Sequence, residues 1–198
     1  GDTIGYISDN TFQLYRFNQG VQRWEKLGPP LEAEMETGAS PTFAMSGSGR
    51  RVAIAVRRPT NDFKLQVFEL IGGSWKVQTG PLIEIKSRRN SMKLAMSEDG
   101  RTVIANDFIS VQSSSSNGVW DTVRVGEGDV NVDGVTLSGD GLTMSLTVFR
   151  AFDVVNGRVS GRAYTFLYGR PRGDSNRWTK LSDEQELVSI FRAIEGST

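Results

Sequence analysis

The stretch whose spacing is most able to do chemistry is Asp129-Val130-Asn131-Val132-Asp133-Gly134, with Asp140 at the twelfth position counted from Asp129. Oxygen-bearing side chains at alternate positions around a glycine turn are what a hard cation needs, and the pattern fits the opening of a calcium loop. A second reading of the same residues stays open. Val130 and Val132 run on into Val135 and Leu137 as one alternating strand, which leaves Asp140 as a surface turn residue. An Asp at the twelfth position also falls short of the reach of a bidentate Glu. No cofactor other than calcium at this loop is expected.

Arginine pairs come next: Arg50-Arg51, Arg57-Arg58 and Arg88-Arg89 have the chemistry to meet phosphate or carboxylate. Neither interleaved aromatics nor a phosphate-cradling glycine loop accompanies them, so nucleic acid is not an expected partner. Glu32, Glu34 and Glu36, with Asp183, Glu184 and Glu186, carry the opposite sign. Such a balance suits contacts between copies of one chain, with a solvated rim as the plainer alternative. Trp24, Trp75, Trp120 and Trp178 are either a ring of sugar-stacking aromatics or a set of structural ones.

Whole reaction classes fall away on composition. The 198 residues contain no His and no Cys, which removes histidine triads, thiolate nucleophiles, disulfides and imidazole or thiolate zinc sites. A general base would have to be a raised carboxylate or a lowered Lys, and Asp-Gly turns leave their carboxylates at exposed hairpin tips. An enzyme is not expected. Lys plus Arg equals Asp plus Glu at 23 each, so no overall field points to nucleic acid or to an acidic tail. No apolar run approaches the ~18 residues of a membrane span. No leader pattern precedes Gly1, and the chain reads as a mature fragment from which an upstream segment was removed.

The elements that must hold these residues come from a repeat. Phe12, Leu14, Phe17 and Trp24 recur as Phe63, Leu65, Phe68 and Trp75, each shifted by 51 residues. The same shift carries Ala44-Met45-Ser46 through Gly49 to Val52 onto Ala95-Met96-Ser97 through Gly100 to Val103. A third copy of this half begins at Leu137-Ser138, with Asp140 and Gly141, and Trp120 and Trp178 close the third and fourth tryptophan halves. Glycine at the end of Ser-x-x-Gly supplies the positive φ of a tight hairpin, and alternating runs flank it on both sides. Lys64 to Leu70, then Gly72-Gly73-Ser74 and Trp75, reads as a second hairpin. Four short strands per ~50 residues predict an all-β, propeller-like array of about four four-stranded blades in one domain, closed or open. The units fall at residues 1–40, 41–90, 91–132 and 133–182, with a tail at 183–198. The first unit lacks the Ser-x-x-Gly hairpin, and a closed ring would need Asp2 to Ser8 to pair with the last blade. The tail offers a short amphipathic helix with Leu187, Ile190, Phe191 and Ile194 on one face, or a closing strand. Ser113 to Ser116 reads as a flexible turn.

At these residues the sequence resembles Ser-x-Asp-Gly β-propeller repeats. It is similar to the FG-GAP or integrin-α-like repeats common in algal, especially diatom, surface and organelle proteins, in which strings like Met96-Ser97-Glu98-Asp99-Gly100-Arg101-Thr102-Val103-Ile104-Ala105 are frequent. The resemblance spans roughly residues 4 to 181. Val56-Arg57-Arg58-Pro59 and Asn106-Asp107-Phe108 stand where FG-GAP units carry a Gly-Ala-Pro turn, so an integrin-like ligand site is not implied. The resemblance implies the fold, and among algal repeat proteins it extends to plastid structural proteins similar to those that sheathe the pyrenoid. Together with the incomplete unit count and the split charges, it leads to a self-assembling protein-interaction module. The alternative is a carbohydrate- or ligand-binding adhesion propeller, calcium-dependent or not. An organelle interior suits a chain without disulfides or Asn-x-Ser/Thr sequons.

Overall fold

The computed structural model describes residues 2–8, 11–32, 41–60, 62–78, 83–85, 92–105, 109–113, 120–124, 132–155, 158–172, 178–182 and 185–187. Eighteen strands fall into four antiparallel sheets, and no helix occurs among the described residues. Sheet 1 holds β1 (Thr3–Ser8), β2 (Thr11–Asn18), β3 (Arg23–Lys26) and β4 (Leu31–Glu32). Sheet 2 holds β5 (Thr42–Met45), β6 (Arg51–Arg57), β7 (Phe63–Ile71), β8 (Ser74–Val77) and β9 (Ile83–Ile85). Sheet 3 holds β10 (Leu94–Met96), β11 (Thr102–Ala105), β12 (Ile109–Ser113) and β13 (Trp120–Arg124). Sheet 4 holds β14 (Val132–Leu137), β15 (Thr143–Val155), β16 (Arg158–Gly169), β17 (Thr179–Lys180) and β18 (Gln185–Leu187).

Each sheet is a meander, the order that consecutive hairpins impose. In sheets 2, 3 and 4 the Ser-x-x-Gly turn joins the first strand to the second, and its glycine takes a left-handed φ of +68° to +71° that L side chains avoid. The fourth position is broken in two: β8 and β9 share β7, β17 and β18 share β16, and β3 and β4 share β2. Sheet 1 starts one strand late. β1 occupies the place of β6, pairs with β2 from Thr3↔Arg16 to Ser8↔Thr11, and has no first strand beside it among the described residues. Asp2 to Ser8 thus belongs to sheet 1 and does not complete the last blade.

The sheets stack in chain order, so each has a leading face toward the sheet before it and a trailing face toward the sheet after it. Alternation along β6 and β7 sorts the side chains between the two faces. Val52, Ile54, Val56 and Phe68 lead and pack with Phe12, Leu14 and Leu31 of sheet 1. Ala53, Ala55, Leu65 and Val67 trail and pack with Val103, Ala105 and Met92. Ile104 trails in sheet 3 and meets Met144, Leu146 and Val148 of sheet 4. Three cores therefore serve four sheets, and no fourth core joins sheet 4 to sheet 1 among the described residues. The result is a propeller-like, all-β array.

The tail departs from the helical reading where it can be seen. Gln185–Leu187 is β18, antiparallel to β16 through Thr165↔Gln185 to Ala163↔Leu187. The twelve-residue β16 outruns the two-residue β17 and leaves an edge that an alternating segment can pair with. Residues 188–198, with Ile190, Phe191 and Ile194, lie outside the described residues.

Candidate functional site

The residues singled out by the repeat line one rim of the array, along sheets 2, 3 and 4. Ser46 Oγ accepts the N–H of Arg51 at 3.1 Å, Ser97 Oγ that of Thr102 at 3.0 Å and Ser138 Oγ that of Thr143 at 2.9 Å. Gly49, Gly100 and Gly141 each return an N–H to the serine carbonyl at 2.9 Å. In two turns an aspartate completes the lock. Ser97 donates to Asp99 at 2.7 Å and Ser138 to Asp140 at 2.6 Å, while the N–H groups of Arg101 and Leu142 donate to the same carboxylate oxygens. The Ser138 hydroxyl, then the Leu142 N–H, holds the Asp140 carboxyl below the usual aspartate range. These hydroxyls and carboxylates fasten their own hairpins.

The turns also fasten one another. The Gly47 N–H donates to the Glu98 carbonyl at 3.0 Å, and the Glu98 N–H to the Gly139 carbonyl at 2.8 Å. This ladder brings the second residues of all three turns together. Arg170 clamps the last step: Nε donates to the Gly141 carbonyl at 2.9 Å, Nη2 to Thr102 Oγ1 at 2.7 Å, and the guanidinium lies 5.3 Å from the Trp178 ring centre. Burial pulls its pKa down, against the pull of Asp99 and Asp140.

The other candidates separate. Trp75 packs on the core between sheets 1 and 2 and donates Nε1–H to the Pro29 carbonyl at 2.8 Å. Trp178 packs on the core between sheets 3 and 4. Trp120 opens β13 opposite Ser113. Trp24 is 44% exposed, edge-on to Phe17 at 5.3 Å. Of the arginines, Arg51 is bound to Glu69, its cross-strand neighbour, at 3.2 Å, and Arg58 to Glu84 at 2.8 Å. Arg57 ends β6 opposite Phe63, and Arg50 makes no ion pair among the described residues. Arg88, Arg89, Glu34 and Glu36 lie outside the described residues; Glu32 closes β4 opposite Thr11.

Asp129 and Asn131 of the calcium pattern also lie outside. Asp133 is the residue passed over where the β14–β15 register shifts between Val132 and Gly134, and Asp140 is spent on its turn. No cluster of three metal-ligating side chains occurs among the described residues. Among the described residues no helix is long and apolar enough to cross a membrane.

The two ends of the array hold what residue-by-residue reading missed. On the leading face of sheet 1, Ile4 is 47% and Tyr6 61% exposed, beside Trp24 and Phe17. Strand pairing equates Ile4 with Ile54: Ile4 faces Tyr15 and Ile54 faces Gln66, the same place in the repeat. Ile54 is 2% exposed, with Phe43 of β5 beside it and sheet 1 before it; Ile4 has neither cover among the described residues. At the other end Leu181, three residues after Trp178, is 60% exposed. Leu27, three after Trp24, packs on the core between sheets 1 and 2. The repeat offset itself was the signal that could have found both.

No family model matches the chain, and no curated protein matches it. Among solved structures, a candidate 6-phosphogluconolactonase of Bacteroides uniformis superposes with a TM-score of 0.58 at 10% identity, over 94% of this chain and 52% of that one. AofleA from Arthrobotrys oligospora gives 0.43 at 16% identity, over 93% and 54%. The tricorn protease gives 0.48 at 12%, over 93% and 16%. The chain spans about half the length of the first of these. That likeness is one of fold, a propeller-like all-β architecture.

Proposed function

We propose that this chain is a protein-interaction module that associates with copies of itself and does no chemistry of its own. One observation carries the reading: the leading face of sheet 1 exposes Ile4, Tyr6 and Trp24, where sheet 2 buries Ile54 and Val56 in the places of the first two. Large apolar patches left in water mark contact surfaces in soluble proteins. The serine and aspartate side chains of the turns are committed to the fold, which fits a scaffold better than a catalyst. The charge clusters are a lesser part of the case, since Arg51 and Arg58 are neutralised within the chain. Sedimentation equilibrium from about 1 to 100 µM is the test, with mass expected to rise with concentration. A mass fixed at the 21.8 kDa of one chain across that range overturns the reading.

A further inference from the structure

We infer that Ser48 is a phosphorylation site and that its phosphate fastens sheet 1 to sheet 2. The site lies in a rim turn inside the chain and is independent of the self-association just proposed.

The three Ser-x-x-Gly turns differ at their third residue, which is Asp99 in sheet 3, Asp140 in sheet 4 and Ser48 in sheet 2. Each aspartate takes its serine hydroxyl, at 2.7 and 2.6 Å, and the N–H two residues on, at 2.9 and 3.0 Å. Ser48 Oγ stands 3.4 Å from Ser46 Oγ and 3.3 Å from the Arg50 nitrogen, longer than good bonds of either kind. Ser46 is 2% exposed, so its hydroxyl is a buried donor without a short acceptor among the described residues. A position that carries an anion in two turns is neutral in the third. Ser48 is exposed between two glycines, and its hydroxyl is loosely held and open to an enzyme.

Two cations flank this turn. Arg16 of β2 crosses from sheet 1 and donates Nη2–H to the Ser48 carbonyl. Arg50 is exposed, and neither arginine is in an ion pair among the described residues. Arg51 is spent on Glu69. The opposing charge is Glu98, whose Cγ lies 2.6 Å from where a Cβ on Gly47 would be. Two guanidinium groups against one carboxylate favour an added anion. The turns of sheets 2, 3 and 4 are joined by the backbone ladder, but sheet 1 has no such turn. On this rim its hydrogen bond to sheet 2 is the Arg16 contact, which a phosphate makes a charge-assisted pair.

The step is phosphoryl transfer by a protein serine kinase. Ser48 Oγ attacks the γ-phosphorus of ATP, and the O–P bond forms as the bond from that phosphorus to the β–γ bridging oxygen breaks. ADP leaves, and the hydroxyl proton passes to the base of the kinase.

Genetically encoded phosphoserine at position 48 tests the fastening, and a purified kinase tests the access. By phosphorus NMR, the second phosphate ionisation should fall about half a pH unit lower in the folded chain than in a phosphoserine peptide of residues 44–52. That shift is about a threefold rise in the folded-to-unfolded ratio for the dianion over the monoanion, present at high pH and lost as pH falls through the lowered value. Arg16→Gln should remove most of the shift, and Arg50→Gln repeats the test if Arg16→Gln unfolds. Glu98→Gln should deepen it. Given ATP and a serine kinase that selects arginine after serine, the folded chain should take up phosphate on Ser48, read by peptide mass spectrometry. A folded chain left without phosphate at Ser48, or a phosphate that titrates as it does in the peptide, overturns the inference.

Discussion

At the scale of single residues, the turns show how far residue type alone can be read. Serine and glycine at fixed spacing announce a hairpin because only their chemistry locks it, and the locking bonds of Ser46, Ser97 and Ser138 follow from those types. The role of Glu98 does not follow, because it depends on turns 51 residues before and 41 after it. Its side chain crosses both neighbouring turns. A Cβ at Gly47 would lie 2.6 Å from Glu98 Cγ, whereas one at Gly139 would come nearest the carboxylate tip at 3.1 Å and make ordinary contact with Glu98 Cβ at 3.6 Å. A methylene near the backbone cannot step aside as a carboxylate can. Gly47→Ala should therefore cost about 1–3 kcal/mol and Gly139→Ala under about 0.5 kcal/mol in urea unfolding. Adding Glu98→Ala to Gly47→Ala should recover most of the loss. A double variant no better than the single would place the cost elsewhere than in this contact.

At the scale of elements, the repeat was legible to the level of strands but not of register. The 51-residue shift sets Phe17 and Trp24 on Phe68 and Trp75, yet Phe17 pairs directly with Trp24 while Phe68 pairs with Val77 and Trp75 with Leu70. The hairpins differ in their loops. Gly72 and Gly73, at φ +59° and +81°, turn β7 into β8 in two residues, while residues 19–22 take four between β2 and β3. Because the side-chain period is two, this two-residue slip keeps both tryptophans on the leading face, and the sequence pattern survives it. The longer loop leaves a trace in Gln22, at φ +52° the one non-glycine of positive φ among the described residues. A left-handed residue with a Cβ is disfavoured by about 1–2 kcal/mol. Gln22→Gly should relieve that, less the larger chain entropy of glycine and the bond from Gln22 Nε2 to the Gln19 carbonyl at 2.8 Å. The expected net is a gain of roughly 0.5 kcal/mol in urea midpoint stability. A loss of similar size would mean that the side-chain bond outweighs the backbone relief. Cross-strand partners are equally beyond sequence reading: charge signs alone match the arginine pairs to distant acidic segments, and the neighbour of Arg51 across the β6–β7 pair is Glu69.

At the scale of the whole molecule, what a residue is worth depends on whether its sheet has a neighbour, a fact that no window of sequence contains. Ile4 and Ile54 share residue type and strand position, but Ile54 has Phe43 of β5 and Gln66 of β7 on its two sides and sheet 1 before it, while Ile4 has Tyr15 on one side and, among the described residues, neither a first strand nor a sheet before it. In a repeat array, stability is close to a sum of unit terms and nearest-neighbour interfaces, so the two positions differ by the interface and by the strand that only sheet 2 has. Ile54→Ala opens a cavity in a formed core and should cost about 2–5 kcal/mol. Ile4→Ala, measured where the chain is monomeric, should stay within about 0.5 kcal/mol of the parent, the range of surface substitutions. Raised into the associating range, the same Ile4→Ala chain should lose stability relative to the parent, because there the parent gains the missing interface by mass action. The pair of measurements separates two pictures of the molecule. If Ile4→Ala costs as much as Ile54→Ala at high dilution, the face of sheet 1 is already covered within one chain and the array has no open end. If it costs little when dilute and progressively more as concentration rises, the end is open and a second copy is what closes it.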